Sequence, residues 1–347
     1  MGIVLILLMI LPGRQGWQRA VRMAVPQARR LRKPMQPVCR SRCGDAAAPL
    51  RDHGACPIPP ARTAPAAATW LGLAFVLVWC TGYIAGKQVV AHAAPFTALL
   101  WRFGLTALCF ALAAGPARLR ALPRAQLTRS AVAGVLMLAL QFGGVYAAFA
   151  LGTGSGVAAL VIGAMPLLVA WASPWWGGAR LRAAQWLGMA LGFAGVATVA
   201  ADRIDGATPW GGWLALLVGL FGIAAGTLYQ KRHAAQLDLR VGLAVQNAAA
   251  TLLLLPLAAW EGFRFQASGG FVAAMAWLVL VNSIGGFALL FLLLRRGAAT
   301  QVASLFFLMP PVTAVFGHVL LGEHLTALKL CGFALAALGV WLAGRAR

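Results

Sequence analysis

The sequence predicts an all-α polytopic membrane protein with ten transmembrane helices in two inverted five-helix repeats. Its 347 residues are 61% hydrophobic and 10% charged, whereas about a quarter of the residues in a soluble domain are charged. Apolar runs of about 18 or more residues, long enough to cross a bilayer, follow one another along most of the chain. In addition, the stretch 156–200 recurs without a gap at 300–344, which indicates an internal duplication.

The duplication extends beyond that stretch at a constant offset. It aligns Pro166 with Pro310 and Gly188 with Gly332. Each half contains five predicted spans, an odd number, so the second half enters the membrane from the opposite side. Inverted repeats commonly bind substrate at their interface near the bilayer midplane, and we expect a site there.

The predicted spans each have about 18–24 residues, enough to cross the hydrocarbon core at a rise of about 1.5 Å per residue. We place them at 69–90, 95–114, 130–150, 156–176, 184–201, 210–230, 241–260, 271–294, 298–321 and 326–343. The first five spans form one repeat, over 69–201, and the other five form the second, over 210–343.

Residues 1–68 differ from the rest and are expected to form a disordered basic leader. The segment is rich in Arg, Pro and Ala, a composition that buries too little apolar surface to fold. Its apolar start, 3–11, is too short to span a membrane and lacks the flanks of a signal peptide. We interpret much of this leader as a mis-assigned start, with the functional chain beginning near Thr69.

Outside the leader, most Lys and Arg residues lie in the connections between spans. If both termini are cytoplasmic, thirteen of these residues face the cytoplasm and three face the other side. Cytoplasmic loops carry such an excess, so we predict a multi-pass protein of the bacterial inner membrane with both termini in the cytoplasm. Basic flanks of this kind face anionic lipid, and we expect the bilayer, not a nucleic acid, as the partner.

The sequence lacks the usual patterns of an enzyme. No Asp or Glu lies well inside a predicted span, and neither an H-E-x-x-H zinc motif nor a Walker-type phosphate loop is present. We therefore expect no catalytic residues, no metal and no cofactor. Passive or ion-coupled transport is the function that remains.

Several short motifs in order resemble the ten-helix EamA-type carriers of the drug/metabolite transporter superfamily. The first span holds Trp79 and Lys87 in a similar opening, the second contains Trp-Arg-Phe around Arg102, and the ninth ends in Gly-Glu at Glu323. The first repeat departs from the pattern, with Ala179 where such carriers often have Glu. The resemblance implies a carrier that exports or exchanges small metabolites, amino acids or drugs by alternating access, with spans five and ten outside a central cavity.

The candidate substrate-binding residues are polar or aromatic side chains at membrane depth. They are Trp79, Tyr83, Lys87, Arg102, Gln141, Trp171, Gln246 and Asn282. A cation inside a span costs about 2.5–3.5 kcal/mol on insertion scales, so Arg102 should face a partner or a wet cavity. Arg102 is either an anchor for a substrate carboxylate or phosphate, or a packing residue. For Lys87, snorkelling to the interface is the alternative.

Two further groups are candidates for motion and coupling. Pro166, Pro310 and Pro311 interrupt spans at equivalent places and are predicted as hinges or gates. Glu323 and His318 are candidates for proton coupling, since each can titrate; the alternative for Glu323 is pairing with Lys329.

The function predicted is a secondary transporter of a small-molecule substrate, with protons as the candidate coupling ion. Two alternatives stay open: a translocator of lipids or lipid-linked sugars, and a membrane scaffold that transports nothing. An intramembrane enzyme is the weakest reading, for want of catalytic carboxylates. The substrate, the direction of transport, the coupling ion and the oligomeric state stay open.

Overall fold

The computed structural model describes residues 66–172, 175, 182–201, 209–233, 238–295 and 308–345. The predicted leader lies outside these residues, apart from its last three positions, which are helical. The start of the predicted ninth span also lies outside them.

The described part of the first repeat contains six helices. They are α1 (Ala66–Val90), α2 (Pro95–Ala114), the short α3 (Pro116–Arg120), α4 (Arg124–Ala150), α5 (Ser155–Ala172) and α6 (Ala183–Ala201). The second repeat contains α7 (Trp210–His233), α8 (Leu239–Trp260), α9 (269–295), α10 (Met309–Leu321) and α11 (Ala327–Arg345).

Among the described residues, seven helices are long and apolar enough to cross a membrane, and three shorter apolar helices lie at α6, α10 and α11. Each predicted span therefore has a helix, and the predicted fold class is confirmed. The largest boundary difference is α4, which begins at Arg124 and not at 130. Hydropathy marks only the part of a helix in lipid, and the first turns of α4 are polar.

Local sequence signals fix several helix ends. The side chains of Asp238 and Ser268 accept hydrogen bonds from backbone N–H groups in the first turns of α8 and α9, as N-cap residues do. Gly115 and Gly322 end α2 and α10 with positive φ angles of 84° and 67°, a conformation that glycine adopts without a Cβ penalty.

The packing of the helices follows the duplication. Helix α2 packs against α8, α5 against α10 and α6 against α11, and each pair joins equivalent helices of the two repeats. Helix α4 contacts α7 of the other repeat. In the same way α9, the equivalent of α4, contacts α1, the equivalent of α7. The α6–α11 contact is close: a Cβ at Gly195 would overlap the carbonyl of Gly332 and the backbone of Ala336.

Each repeat contains one π-helical segment, in its third membrane-spanning helix. In α4 the segment is Val135–Leu140, and in α9 it is Trp277–Gly285. The repeat offset aligns them. Such wide turns often occur at functional sites, and the sequence reading had not predicted either one.

Helical segments begin at equivalent positions near the prolines of both repeats. Helix α5 is divided at Ala164, and α10 begins after Leu308, its equivalent. Pro166 and Pro310 therefore lie in the first turn of a helical segment, where a missing N–H is tolerated. The role of Pro166, Pro310 and Pro311 as hinges or gates stays a prediction.

The outer surface of the bundle is apolar. Leu112, Leu252 and Val319 are each at least 70% exposed, and in a membrane protein contact with lipid accounts for such apolar surface. Trp210 and Trp260, at helix ends, are also largely exposed. Tryptophans at such positions form the interfacial belts of membrane proteins.

Candidate substrate site

A cavity of about 330 Å³ lies between the repeats and is lined by α1, α2, α4, α5, α7, α8 and α9. Its size falls in the range of ligand pockets, about 300–1,000 Å³. Gln230 and Leu239, at the end of α7 and the start of α8, belong to its lining. The cavity thus extends toward the end of the bundle that carries Arg118, Arg124 and Lys231, here named the basic end. The opposite end, where α10 ends, is named the Glu323 end.

Arg102 of α2 is 3% exposed and contributes its guanidinium to the cavity. One terminal nitrogen, Nη1, donates to the Tyr146 hydroxyl at 3.1 Å, and the other, Nη2, donates to Oδ1 of Asn282 at 2.8 Å. The guanidinium carbon lies 4.4 Å from the centre of the Phe142 ring. The Nε atom is buried and has no hydrogen-bond partner among the described residues.

The elements that hold Arg102 come from both repeats. Tyr146 lies on α4 of the first repeat, and Asn282 lies in the π-helical segment of α9 in the second. The amide nitrogen of Asn282 donates to the carbonyl of Val78 at 3.0 Å, which fixes the amide with its oxygen toward Arg102. A relative movement of the repeats would therefore change the surroundings of the guanidinium.

Six of the eight predicted binding residues line the cavity: Trp79, Tyr83, Arg102, Gln141, Gln246 and Asn282. Gln246, the repeat equivalent of Arg102, donates from Nε2 to Oε1 of Gln230 at 3.3 Å. The cavity thus has a cationic group on one side and an amide pair on the other. Their role in binding substrate stays a prediction.

Trp171 is placed elsewhere than predicted. Its ring is 39% exposed and packs edge-on against Trp175, with ring centres 4.4 Å apart. Trp171 lies in the last turn of α5, a position that suits an interfacial belt. It is outside the described cavity lining, and its role in binding substrate stays a prediction.

Lys87 also lies outside the described cavity lining, and it has a carboxylate partner. Its Nζ atom is 2.6 Å from Oε1 of Glu323, with side chains 27% and 18% exposed. The Glu323 carboxylate accepts from the backbone N–H and the hydroxyl of Ser155, at 2.8 and 2.9 Å. The cluster of Lys87, Glu323 and Ser155, here named the latch, joins α1 and α5 of the first repeat to the end of α10.

The surroundings of Glu323 differ from the predicted pairing with Lys329. Lys329 donates from Nζ to the carbonyl of His324 at 2.9 Å, and Nδ1 of His318 lies 2.8 Å from the backbone oxygen of Glu323. Burial raises the pKa of Glu323, but hydrogen bonds from Lys87 and Ser155 outweigh it and hold the pKa below its ordinary value. The carboxylate is therefore ionised at neutral pH in this conformation.

Sequence reasoning missed three residues of these clusters. Tyr146 carried a usable signal, because it is one of three tyrosines in the chain and lies inside a predicted span. Phe142 is one of many apolar residues in its helix and carries no such signal. The position of Ser155 beside Glu323 depends on a contact between residues far apart in sequence.

The fold and cavity define a two-repeat polytopic membrane protein with a buried polar site between its halves. The chain belongs to the EamA-like transporter family, whose pattern matches residues 66–201 and 210–345. The members of this family are transporters, and the predicted family is confirmed.

Several relatives carry transporter names. The uncharacterized inner membrane transporter YedA of Escherichia coli (strain K12) is 28% identical over 74% of this chain and 83% of its own length. A probable amino-acid metabolite efflux pump of Salmonella typhimurium is 27% identical over 79% of this chain and 93% of its own length. The uncharacterized transporter YvbV of Bacillus subtilis is 28% identical over 54% of this chain and 62% of its own length.

One solved crystal structure has a similar fold. It shares 20% sequence identity with this chain, covers 81% of it and 97% of its own length, and gives a TM-score of 0.53. At that identity, the similarity concerns the fold alone.

Proposed function

We propose that this protein is a secondary transporter that moves a small amphipathic metabolite through the cavity by alternating access. The observation that carries the proposal is the composition of the cavity wall, which comes from both repeats and includes the buried guanidinium of Arg102. Sites at such an interface are a general feature of transporters with inverted repeats. The name of the Salmonella relative, a probable amino-acid metabolite efflux pump, supports a substrate of this class.

In this proposal the structure has the cavity accessible from the basic end and the latch closed at the Glu323 end. The excess of Lys and Arg in the connections of the basic end assigns that end to the cytoplasm. Substrate then enters from the cytoplasm, and export requires that Lys87 and Glu323 separate. In this proposal the hinges lie at Ala164 and Leu308, the equivalent positions after which a helical segment begins in each repeat. Each repeat can bend there in the same way.

In this proposal, proton coupling depends on opening of the latch, because only then does Glu323 lose its contacts with Lys87 and Ser155. In the closed latch the pKa of Glu323 is lowered, so the carboxylate holds no proton at neutral pH. Once Lys87 and Ser155 move away, the contacts that lower its pKa are lost, so opening of the latch and protonation of Glu323 favour each other. His318, whose ring nitrogen faces the Glu323 backbone, is a second group at this end that can titrate.

Transport assays in proteoliposomes test the proposal with a matched pair of variants on α7. Ile223 lines the cavity, and Val218 is 48% exposed on the same helix. We expect Ile223→Trp to fill the cavity and abolish flux of amino acids and their metabolites, and Val218→Trp to transport as the parent does. Flux that survives Ile223→Trp would argue against this cavity as the pathway. Absence of flux for the whole panel, with acyl-chain lipids translocated instead, would support the lipid translocator.

A further inference from the structure

We infer that the cavity selects an amphipathic monoanion or zwitterion, whose carboxylate binds the guanidinium of Arg102, and that it rejects organic cations. The inference rests on the proposed transport function and adds the charge of the substrate to it. It is drawn from the balance of charge in the cavity, from the unused donors of Arg102 and from the distribution of apolar surface.

The charge balance is the first step. Among the described residues lining the cavity, Arg102 is the only one with a formal charge, and no Asp or Glu is present there. Its two hydrogen-bond partners, Tyr146 and Asn282, are neutral. A buried cation without a counter-charge is costly. A bound carboxylate would supply that counter-charge, whereas a second cation would add repulsion in a medium of low dielectric constant.

The donors of Arg102 are the second step. A guanidinium has five N–H groups in a planar fork, and the described side chains accept two of them. Among the described residues, the buried Nε–H group has no acceptor. Arginine binds carboxylates through two parallel N–H groups, and this unsatisfied donor favours a ligand that brings acceptors to the guanidinium.

The apolar surface is the third step. Beside the guanidinium lie Phe103 and Phe142, and the rest of the wall includes Trp79 and Phe287. These rings suit an aliphatic or aromatic body attached to the carboxylate. Gln246 is paired with Gln230 across the cavity, and amide oxygens there can accept from an ammonium group. A hydrophobic amino acid therefore fits as well as a simple carboxylate does.

Calorimetric titration of the purified protein in detergent tests the inference with four probes of similar shape. They are 3-phenylpropionate, L-phenylalanine, 3-phenylpropanol and 3-phenylpropylamine, and 3-phenylpropyl phosphate serves as a fifth to separate carboxylate from phosphate. Because hydrogen bonds to charged groups are the stronger ones, we expect the two carboxylates to bind at least about tenfold more tightly than the alcohol and the amine.

Variants of Arg102 provide the second arm. Arg102→Gln should weaken binding of 3-phenylpropionate about tenfold or more and leave the alcohol unchanged, while Arg102→Lys should retain part of the affinity. Lys329→Gln, a substitution at a cation outside the cavity, is the control and should bind as the parent does.

Three results would overturn the inference. They are an amine that binds as tightly as the acid, a phosphate ester preferred over the carboxylates, and an Arg102→Gln variant with unchanged affinity for 3-phenylpropionate. In each case flux that is still blocked by Ile223→Trp would leave the transporter proposal standing. Loss of the proposed function would instead appear as the absence of flux in the parent protein.

Discussion

Two cations on neighbouring helices have opposite electrostatic surroundings. Lys87, near the Glu323 end of α1, is 27% exposed and paired with a carboxylate at 2.6 Å. Arg102, in α2, is 3% exposed and has only neutral hydrogen-bond partners among the described residues. The more buried charge, which gains most from an anion, is therefore the one without a carboxylate.

This difference separates a group that closes the protein from one that receives a ligand. A paired charge has its electrostatic requirement met within the chain, and its interaction is lost only when the partners move apart. An unpaired buried charge keeps a favourable interaction for a molecule from outside, at a cost in stability without it. Whether a carboxylate lies beside the cation thus distinguishes the closing group, Lys87, from the ligand-binding group, Arg102.

Placing a carboxylate beside Arg102, as Glu323 lies beside Lys87, should produce the largest change in ligand binding. Oδ1 of Asn282 is 2.8 Å from Nη2 of Arg102, so Asn282→Asp places a negative charge beside the guanidinium with little change in shape. Because like charges repel strongly at a buried site, we expect binding of 3-phenylpropionate to weaken about a hundredfold or more, by calorimetry. Binding of 3-phenylpropylamine should appear or increase.

The control for this variant removes the hydrogen bond without adding charge. Asn282→Leu removes the acceptor that orients the guanidinium of Arg102, and this loss of positioning should weaken anion binding about tenfold. An Asn282→Asp variant that binds the acid no more weakly than Asn282→Leu does would contradict the assigned role of Arg102.

Removing the carboxylate from Lys87 is the reciprocal change and should have a smaller effect. The pair is partly exposed, so Glu323→Gln should favour the open latch by about 1 kcal/mol, or about fivefold in population. An impermeant thiol reagent would report this as faster labelling of Val157→Cys, next to the latch on α5, in a background without native cysteines. The matched control is Lys329→Gln, which removes a cation that donates to the carbonyl of His324; equal labelling rates in both would refute the latch.

The latch should also respond to acid in a defined direction. The pKa of Glu323 is lowered in the closed latch, so stabilisation by this group is present above its ordinary pKa and is lost as the pH falls through the lowered value. The neighbouring groups that matter are Lys87, Ser155 and the His318 ring at the Glu323 backbone. Measured relative to a fully exposed cysteine at the same pH, which corrects for the loss of thiolate in acid, labelling of Val157→Cys should therefore increase below about pH 4.5. Glu323→Gln should remove that increase, while His318→Gln should keep it.

The contrast between these sites also shows what the sequence could predict. The helices were predictable because span length and apolar composition are local properties; for α2 the predicted 95–114 matches the observed Pro95–Ala114. Arg102 and Asn282 were predictable because polar groups are costly at membrane depth. The partner of Lys87 was not, since Glu323 is 236 positions away and meets it only through the packing of α1 against α10. No local sequence signal predicted the two π-helical segments either.

A substitution at the periphery of the bundle should have the smallest effect on transport. Helices α6 and α11 pack mainly against each other, away from the cavity. A Cβ at Gly195 would overlap the backbone of α11, so Gly195→Ala should force the two helices apart and destabilise the protein by about 1–3 kcal/mol.

A lower midpoint of thermal unfolding in detergent would report this change, while the affinity for 3-phenylpropionate should stay within about twofold of the parent, since packing far from a site couples weakly to it. Leu187→Ala, on the lipid-facing side of the same helix, is the control and should unfold close to the parent because its side chain is 56% exposed. If Gly195→Ala weakened binding as strongly as Asn282→Leu does, the α6–α11 pair would belong to the moving part of the transporter. The division between a peripheral pair and a central site built around Arg102 would then be wrong.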